Sequence, residues 1–203
     1  MSIYALKPRF QALLRPLAVQ LARTGVTANG VTIAAAVISI VVGAFVAWHA
    51  PDRTPFVLIP LWMFVRMALN TLDGMLAREF GQQTRLGAFL NELGDVVADA
   101  ALYLPFAWIP PFSAAWVAAV IVLATITELA GALGPTIGAS RRYDGPFGKS
   151  DRAFAFGALG LWIGFGGPLS EWTAMLFPLF VVLLMATIVS RVHNALVETK
   201  SPR

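Results

Sequence analysis

The chain has 203 residues, 58% of them hydrophobic and 13% charged, with a mean hydropathy of +0.72. A soluble domain carries roughly 25% charged residues, so an ordinary soluble globule is excluded. The apolar runs are continuous rather than alternating, which indicates membrane helices and not a barrel. With no cysteine, disulfides and thiolate metal sites are excluded as well, and the positions of the charges behind the net +4 and pI near 10.0 follow membrane topology, not a nucleic-acid surface.

Residues 2–23 are too polar to span a bilayer. Ile3, Leu6, Phe10, Leu13, Leu14, Leu17 and Leu21 recur at helical spacing, with Lys7, Arg9, Arg15 and Arg23 between them. This predicts a basic amphipathic helix within an interfacial unit 1–24, a solvated tail being the alternative. Pro8 and Pro16 are expected to kink it or divide it into two pieces. There is no signal-peptide core with a cleavage site, so the first spanning helix is expected to act as the insertion signal. Thr24 to Thr32, with Thr27 and Asn29, reads as a turn that caps the next helix.

Six apolar segments follow, at 30–48, 55–76, 85–109, 112–138, 153–167 and 171–195. Each is near the ~20 residues a bilayer requires. The expectation is an all-α integral membrane protein: one domain over 1–203, with a six-helix bundle over 30–195 and no internal repeat. Lys7, Arg9, Arg15, Arg23, Arg78, Arg85, Arg141, Arg142, Lys149, Arg152, Arg191, Lys200 and Arg203 fall on one side, against Arg53 on the other. That bias puts both termini in the cytoplasm of an inner-membrane protein. His49 and His193 then lie at opposite faces and form no pair. Trp48, Trp108, Trp116, Trp162 and Trp172 fit an interfacial aromatic belt.

The few polar residues within this hydrophobic chain cluster in two stretches. Asn70, Asp73, Gly74, Ala77 and Arg78 form the first, and Gly87, Asn91 and Asp95 the second. Asp73 follows Asn70 by three residues and Asp95 follows Asn91 by four, so each pair shares one face of its helix. Two such helices side by side would point carboxylates and amide oxygens into one space. Intramembrane polar groups usually face a cavity and serve a function, and an oxygen-rich set suits a hard divalent cation, Mg²⁺ above all. Taken alone, Gly74, Ala77 and Gly87 equally fit close helix packing, and Arg78 a snorkelling anchor. Arg66 shares the face of Asn70 and Asp73, and is expected to form a buried ion pair with an internal acid such as Glu128.

The spacing resembles the signature of the CDP-alcohol phosphatidyltransferases, D-x2-D-G-x2-A-R-x8-G-x3-D-x3-D. Asp73, Gly74, Ala77, Arg78, Gly87 and Asp95 match, while Asn70 and Asn91 stand where the first and third aspartates are expected. The Thr27-Ala-Asn29 turn also resembles the entry to the first spanning helix in that family, with Ala28 where proline is common. The resemblance implies transfer of a phosphatidyl group from CDP-diacylglycerol to a small polar alcohol, with release of CMP. It implies Mg²⁺ or Mn²⁺ at Asn70, Asp73, Asn91 and Asp95, with Asp95 as general base. It places the CDP moiety against Asn70, Asp73, Gly74, Ala77, Arg78 and Gly87, the small residues leaving room for cytidine and ribose. Two lost charges imply weaker metal binding, one metal instead of two, or help from Glu92 or Asp99.

The loop 140–152 carries Arg141, Arg142, Lys149 and Arg152. Charge bias alone accounts for such a loop. By resemblance to family members with phosphorylated acceptors, these four are also candidates for binding the phosphate of glycerol 3-phosphate or inositol phosphate. The resemblance further implies a homodimer. Two other readings stand beside the enzyme: a catalytically silent relative that binds nucleotide or lipid, and a small membrane transporter, which the missing internal repeat disfavours.

Overall fold

The computed structural model describes residues 6–200; Ile3 and Arg203 of the patterns above lie outside the described residues. Among those residues the chain forms α1 (Leu6–Arg23), α2 (Ala28–Trp48), α3 (Leu58–Glu79), α4 (Arg85–Tyr103), α5 (Ala114–Leu133), α6 (Lys149–Gly164) and α7 (Leu176–Lys200). Short 3-10 turns lie at Thr54–Val57, Leu104–Trp108, Gly134–Ile137 and Glu171–Met175. Helix starts are set by local chemistry. Thr27 Oγ1 accepts the Gly30 N–H at 3.1 Å, and Thr84 Oγ1 accepts the Gly87 N–H at 2.8 Å, so threonine N-caps open α2 and α4. At the start of α6, the Gly148 N–H donates to Asp151 Oδ2 at 2.9 Å.

α1 is unbroken, contrary to the division expected at its prolines. Pro8 sits in the first turn, where an N–H would have no helical acceptor. Pro16 and Ala12, whose carbonyl loses its partner, both lie on the exposed side, where water or lipid headgroups can satisfy that oxygen. The buried side sets Leu14, Ala18 and Leu21 against Leu69, Leu72 and Met75 of α3.

Four stretches, Ala28–Trp48, Thr54–Glu79, Ala114–Ile137 and Glu171–Thr199, are long and apolar enough to cross a membrane. Their outward faces carry Val41, Phe64, Val122 and Val189, each more than half exposed, as lipid-facing positions require. The chain is an integral membrane protein. α4 and α6 do not qualify on composition and length: α4 carries Arg85, Glu92, Asp95 and Asp99, and α6 has only 16 residues.

Hydrophobic packing and polar groups occupy different ends of the bundle. Phe56, Tyr103, Phe106, Phe156 and Phe177 fill the core, with Tyr103 stacked on Phe156 at 3.7 Å between ring centroids. Phe56 and Phe106 lie in the 3-10 turns before α3 and after α4, Tyr103 ends α4, and Phe156 and Phe177 come from α6 and α7, whereas the motif lies on the end of α3 and the start of α4. α2 and α4 approach so closely that a Cβ on Gly43 would overlap the backbone carbonyl of Ala101, and only glycine permits that contact.

Candidate active site

α3 presents Asn70, Asp73, Gly74, Ala77 and Arg78 to one wall of a cavity of about 750 Å³, and α4 presents Gly87 and Asn91 to the other. Asn29 and Thr32 of α2 and Gln82, Gln83 and Thr84 between the helices complete the lining. Asp95 faces a second cavity of about 360 Å³, together with Glu128, Arg141, Lys149 and Arg191. Asn91, Glu92 and Arg141 line both cavities and form the ridge between them.

Asp73 is only 6% exposed and accepts a hydrogen bond from Thr32 Oγ1 at 2.7 Å. Asp95 is engaged on both oxygens. Its Oδ1 accepts from Arg66 Nη2 at 2.8 Å and from Asn70 Nδ2 at 3.1 Å, and its Oδ2 is paired with the Lys149 ammonium. Beside the motif glycines lie the ends of two flexible side chains, Arg78 of α3 next to Gly74 and Asn29 of α2 next to Gly87. A Cβ at Gly74 would lie 2.8 Å from Arg78 Nη2, and one at Gly87 2.6 Å from Asn29 Oδ1. Arg78 lines the larger cavity with no ion pair among the described residues.

Arg66 is buried as expected, but its partners are Asp95 and Asp99, at 2.8 and 2.5 Å, and not Glu128. The reason is reach. Helical periodicity assigns a face, whereas the long guanidinium stem crosses from α3 to α4. Glu128 instead meets Arg152 at 2.8 Å and Arg191 at 3.6 Å. Asp99 is thereby committed to Arg66 and Glu92 to Arg141, so both compensating acids suggested by the sequence already hold arginines.

The four basic loop residues separate. Arg141 and Lys149 reach the second cavity, Arg141 gripping Glu92 through both terminal nitrogens and Lys149 resting on Asp95. Arg142 turns away to Asp144, at 2.7 and 2.9 Å, and to Glu198 at 2.6 Å. The hydrogen bond from Arg142 holds the Asp144 carboxyl below its ordinary range. Arg152 is 1% exposed and sits among Thr127, Glu128 and Phe147, outside the cavity. Arg191, which charge bias places only by topology, also lines the second cavity. The Gln82-Gln83-Thr84 run also lines the larger cavity, and its signal in the sequence is three consecutive polar residues inside the eight-residue gap of the motif.

Residues 25–189 match the CDP-alcohol phosphatidyltransferase family. The chain belongs to that family. Among curated relatives, the CDP-alcohol phosphatidyltransferase fold here is 45% identical to "Inner membrane protein YnbA" of Escherichia coli (strain K12) over 97% of each chain. It is 36% identical to the phosphatidylinositol phosphate synthase of Mycobacterium marinum over 49% of this chain and 41% of that one. Among solved structures, the phosphatidylinositol phosphate synthase of Mycobacterium tuberculosis with manganese and citrate aligns at a TM-score of 0.75 and 21% identity, covering 93% of this chain and 92% of that one. The same enzyme with CDP-DAG bound aligns at 0.71 and 22%, covering 93% and 96%. These structural likenesses establish the fold.

The donor chemistry in this chain fits one divalent cation. Asp73 offers a carboxylate, and Asn70 and Asn91 offer carbonyl oxygens, all on one cavity, and such oxygens suit a hard ion. Among the described residues no group of three or more His, Asp or Glu side chains converges to hold a metal.

Proposed function

We propose that the protein transfers a phosphatidyl group from CDP-diacylglycerol to a small phosphorylated alcohol, such as glycerol 3-phosphate or inositol phosphate, in the inner membrane. One observation carries this reading: the cavity bearing the family motif and the cavity bearing Asp95 and three cations share a wall at Asn91, Glu92 and Arg141. A donor in the first and an acceptor in the second would meet there.

The diphosphate lies in the larger cavity, where Arg78 and Arg85 have no ion pair among the described residues and Arg78, on the motif, is placed to meet it. A divalent ion, Mg²⁺ or Mn²⁺, held by Asp73, Asn70 and Asn91 would draw charge from the diphosphate and the departing CMP. In the smaller cavity Arg141, Lys149 and Arg191 attract the acceptor's phosphate. The acceptor hydroxyl attacks the phosphorus that carries diacylglycerol, the bond from that phosphorus to CMP breaks, and the hydroxyl proton passes to Asp95. Arg66 and Asn70 fix that carboxylate, so it is oriented before the acceptor arrives.

The reading includes membrane topology. α2 to α7 all cross, α4 and α6 being shielded by their neighbours so that their charges face the cavities, and both termini are cytoplasmic, as the Lys and Arg bias supports. A homodimer is included on the family resemblance alone. The test is CMP release from labelled CDP-diacylglycerol by purified protein with Mg²⁺ and matched acceptors. Glycerol 3-phosphate or inositol phosphate should outpace glycerol or inositol, and Asp95→Asn should abolish release. Binding of CDP without turnover for any acceptor would replace this reading with the silent relative.

A further inference from the structure

The polar interior is arranged as if one of its cations were built into the chain. Both oxygens of Asp95 carry a partner, Arg66 and Asn70 sharing Oδ1 and Lys149 paired with Oδ2, which keeps a lone pair for the acceptor's proton. Arg66 cannot readily leave, because it is buried and anchored to Asp99 at 2.5 Å and to the Asp95 carbonyl at 3.1 Å. Asn70 holds its place by donating an N–H to Asp95 at 3.1 Å, which an aspartate could not do. Two carboxylates at that separation would repel unless a metal lay between them. The carboxamide of Asn91, on the ridge, makes no hydrogen bond among the described residues.

The charges agree with this geometry. Asparagine at positions 70 and 91, in place of two aspartates, removes two negative charges, which is the charge of one divalent ion. Lys149 sets its ammonium on the carboxylate that faces the acceptor cavity. A lysine ammonium is a compact point charge on a flexible stem, suited to replacing an ion near oxygen ligands.

We infer that this protein binds a single divalent cation, with Asp73 as its one carboxylate ligand, and that the Lys149 ammonium occupies the electrostatic role of a second ion on Asp95. The inference deepens the proposed function and rests on its cation site. It makes Asp95 a base outside the metal shell. It also makes Lys149 part of the fixed charge of the site instead of solely an acceptor contact.

The experiment is a Mn²⁺ titration of full-length protein in detergent into the millimolar range. Electron paramagnetic resonance reads the free ion, and thus the bound stoichiometry, and reports coupling between bound ions. One Mn²⁺ per chain without Mn–Mn coupling is expected, lost in Asp73→Asn and retained in Asp95→Asn. The Asn is isosteric and can still accept from Arg66. A triple variant, Asn70→Asp with Asn91→Asp and Lys149→Met, should gain a second, spin-coupled Mn²⁺. Two ions per wild-type chain, none at all, or loss of the ion in Asp95→Asn would overturn the inference. A triple variant still holding one ion would remove Lys149 from the role. CMP release by a wild-type protein carrying two ions sinks this inference alone. One bound ion without CMP release sinks the transfer reading and leaves the single-ion site standing.

Discussion

Gly43 and Gly94 lie in the contact between α2 and α4, yet a methyl group at each should have opposite effects. At Gly43 the new Cβ meets the Ala101 backbone carbonyl, which cannot rotate aside. Carbon contacts are comfortable at roughly 3.5 Å, so the helices must part by about 1 Å. Overpacking of this kind costs about 1–3 kcal/mol, with the upper end expected against backbone. Ala over Gly within a helix returns about 1 kcal/mol. The net loss is about 2 kcal/mol, or roughly 4–8 °C in Tm for a chain of this size. At Gly94 the Cβ would sit 3.6 Å from the Ala36 Cβ and 3.8 Å from Thr32 Cγ2, ordinary contact, so only the helical gain remains. Thermal unfolding of both variants in one detergent reads the difference directly. The same displacement separates Asn29 and Thr32 from Asn91. Gly43 lies about three helical turns from Thr32, which attenuates the shift, so CMP release should fall about tenfold instead of the ~100-fold of a full 1 Å misplacement. A Gly43→Ala protein as stable as Gly94→Ala would refute the backbone contact and the helix spacing that shapes the site.

Arg66→Met leaves Asp95 and Asp99 without their shared cation and should cost about 3–5 kcal/mol, seen as a fall in thermal unfolding temperature; Asp99→Asn in the same background should recover part of the loss. Arg141→Ala should raise KM for a phosphorylated acceptor at least tenfold while changing KM for CDP-diacylglycerol less, in steady-state CMP assays. Asp144 tests the Arg142 contact through pH. Its folded carboxyl titrates below the ordinary range, so its stabilising contribution is complete above the unfolded value and is lost as pH falls through the folded one. The stability gap between wild type and Asp144→Asn should therefore be full at neutral pH and close in acid. Removing divalent ions with a chelator should stop CMP release, and adding Mg²⁺ or Mn²⁺ back should restore it.

The site was legible where local spacing decides it. Asn70 with Asp73, and Asn91 with Asp95, follow from helical periodicity, and the structure sets Asn70 beside Asp95 across two helices. Periodicity was silent on partners across longer distances. It aimed Arg66 correctly but could not show that the guanidinium reaches α4, nor that Glu128 of α5 would be taken by Arg152 of α6 and Arg191 of α7. The basic loop read as one group because its residues are adjacent in sequence. Acids from α4 and α7 divide it, Glu92 fixing Arg141 at the ridge and Glu198 drawing Arg142 away. Where six spans were expected, four stretches have the length and composition of one, because α4 carries four charged residues and α6 is only 16 residues long.

The central claim is that a hydroxyl in the Asp95 cavity attacks the lipid-bearing phosphorus of a donor in the motif cavity. Supplying CDP-diacylglycerol labelled at that phosphorus together with a phosphorylated acceptor tests it most directly. The account predicts that the label moves into a new lipid carrying the acceptor, with unlabelled CMP released in equal amount. Label recovered in CMP or in phosphatidic acid, or retained wholly in the donor, would contradict it.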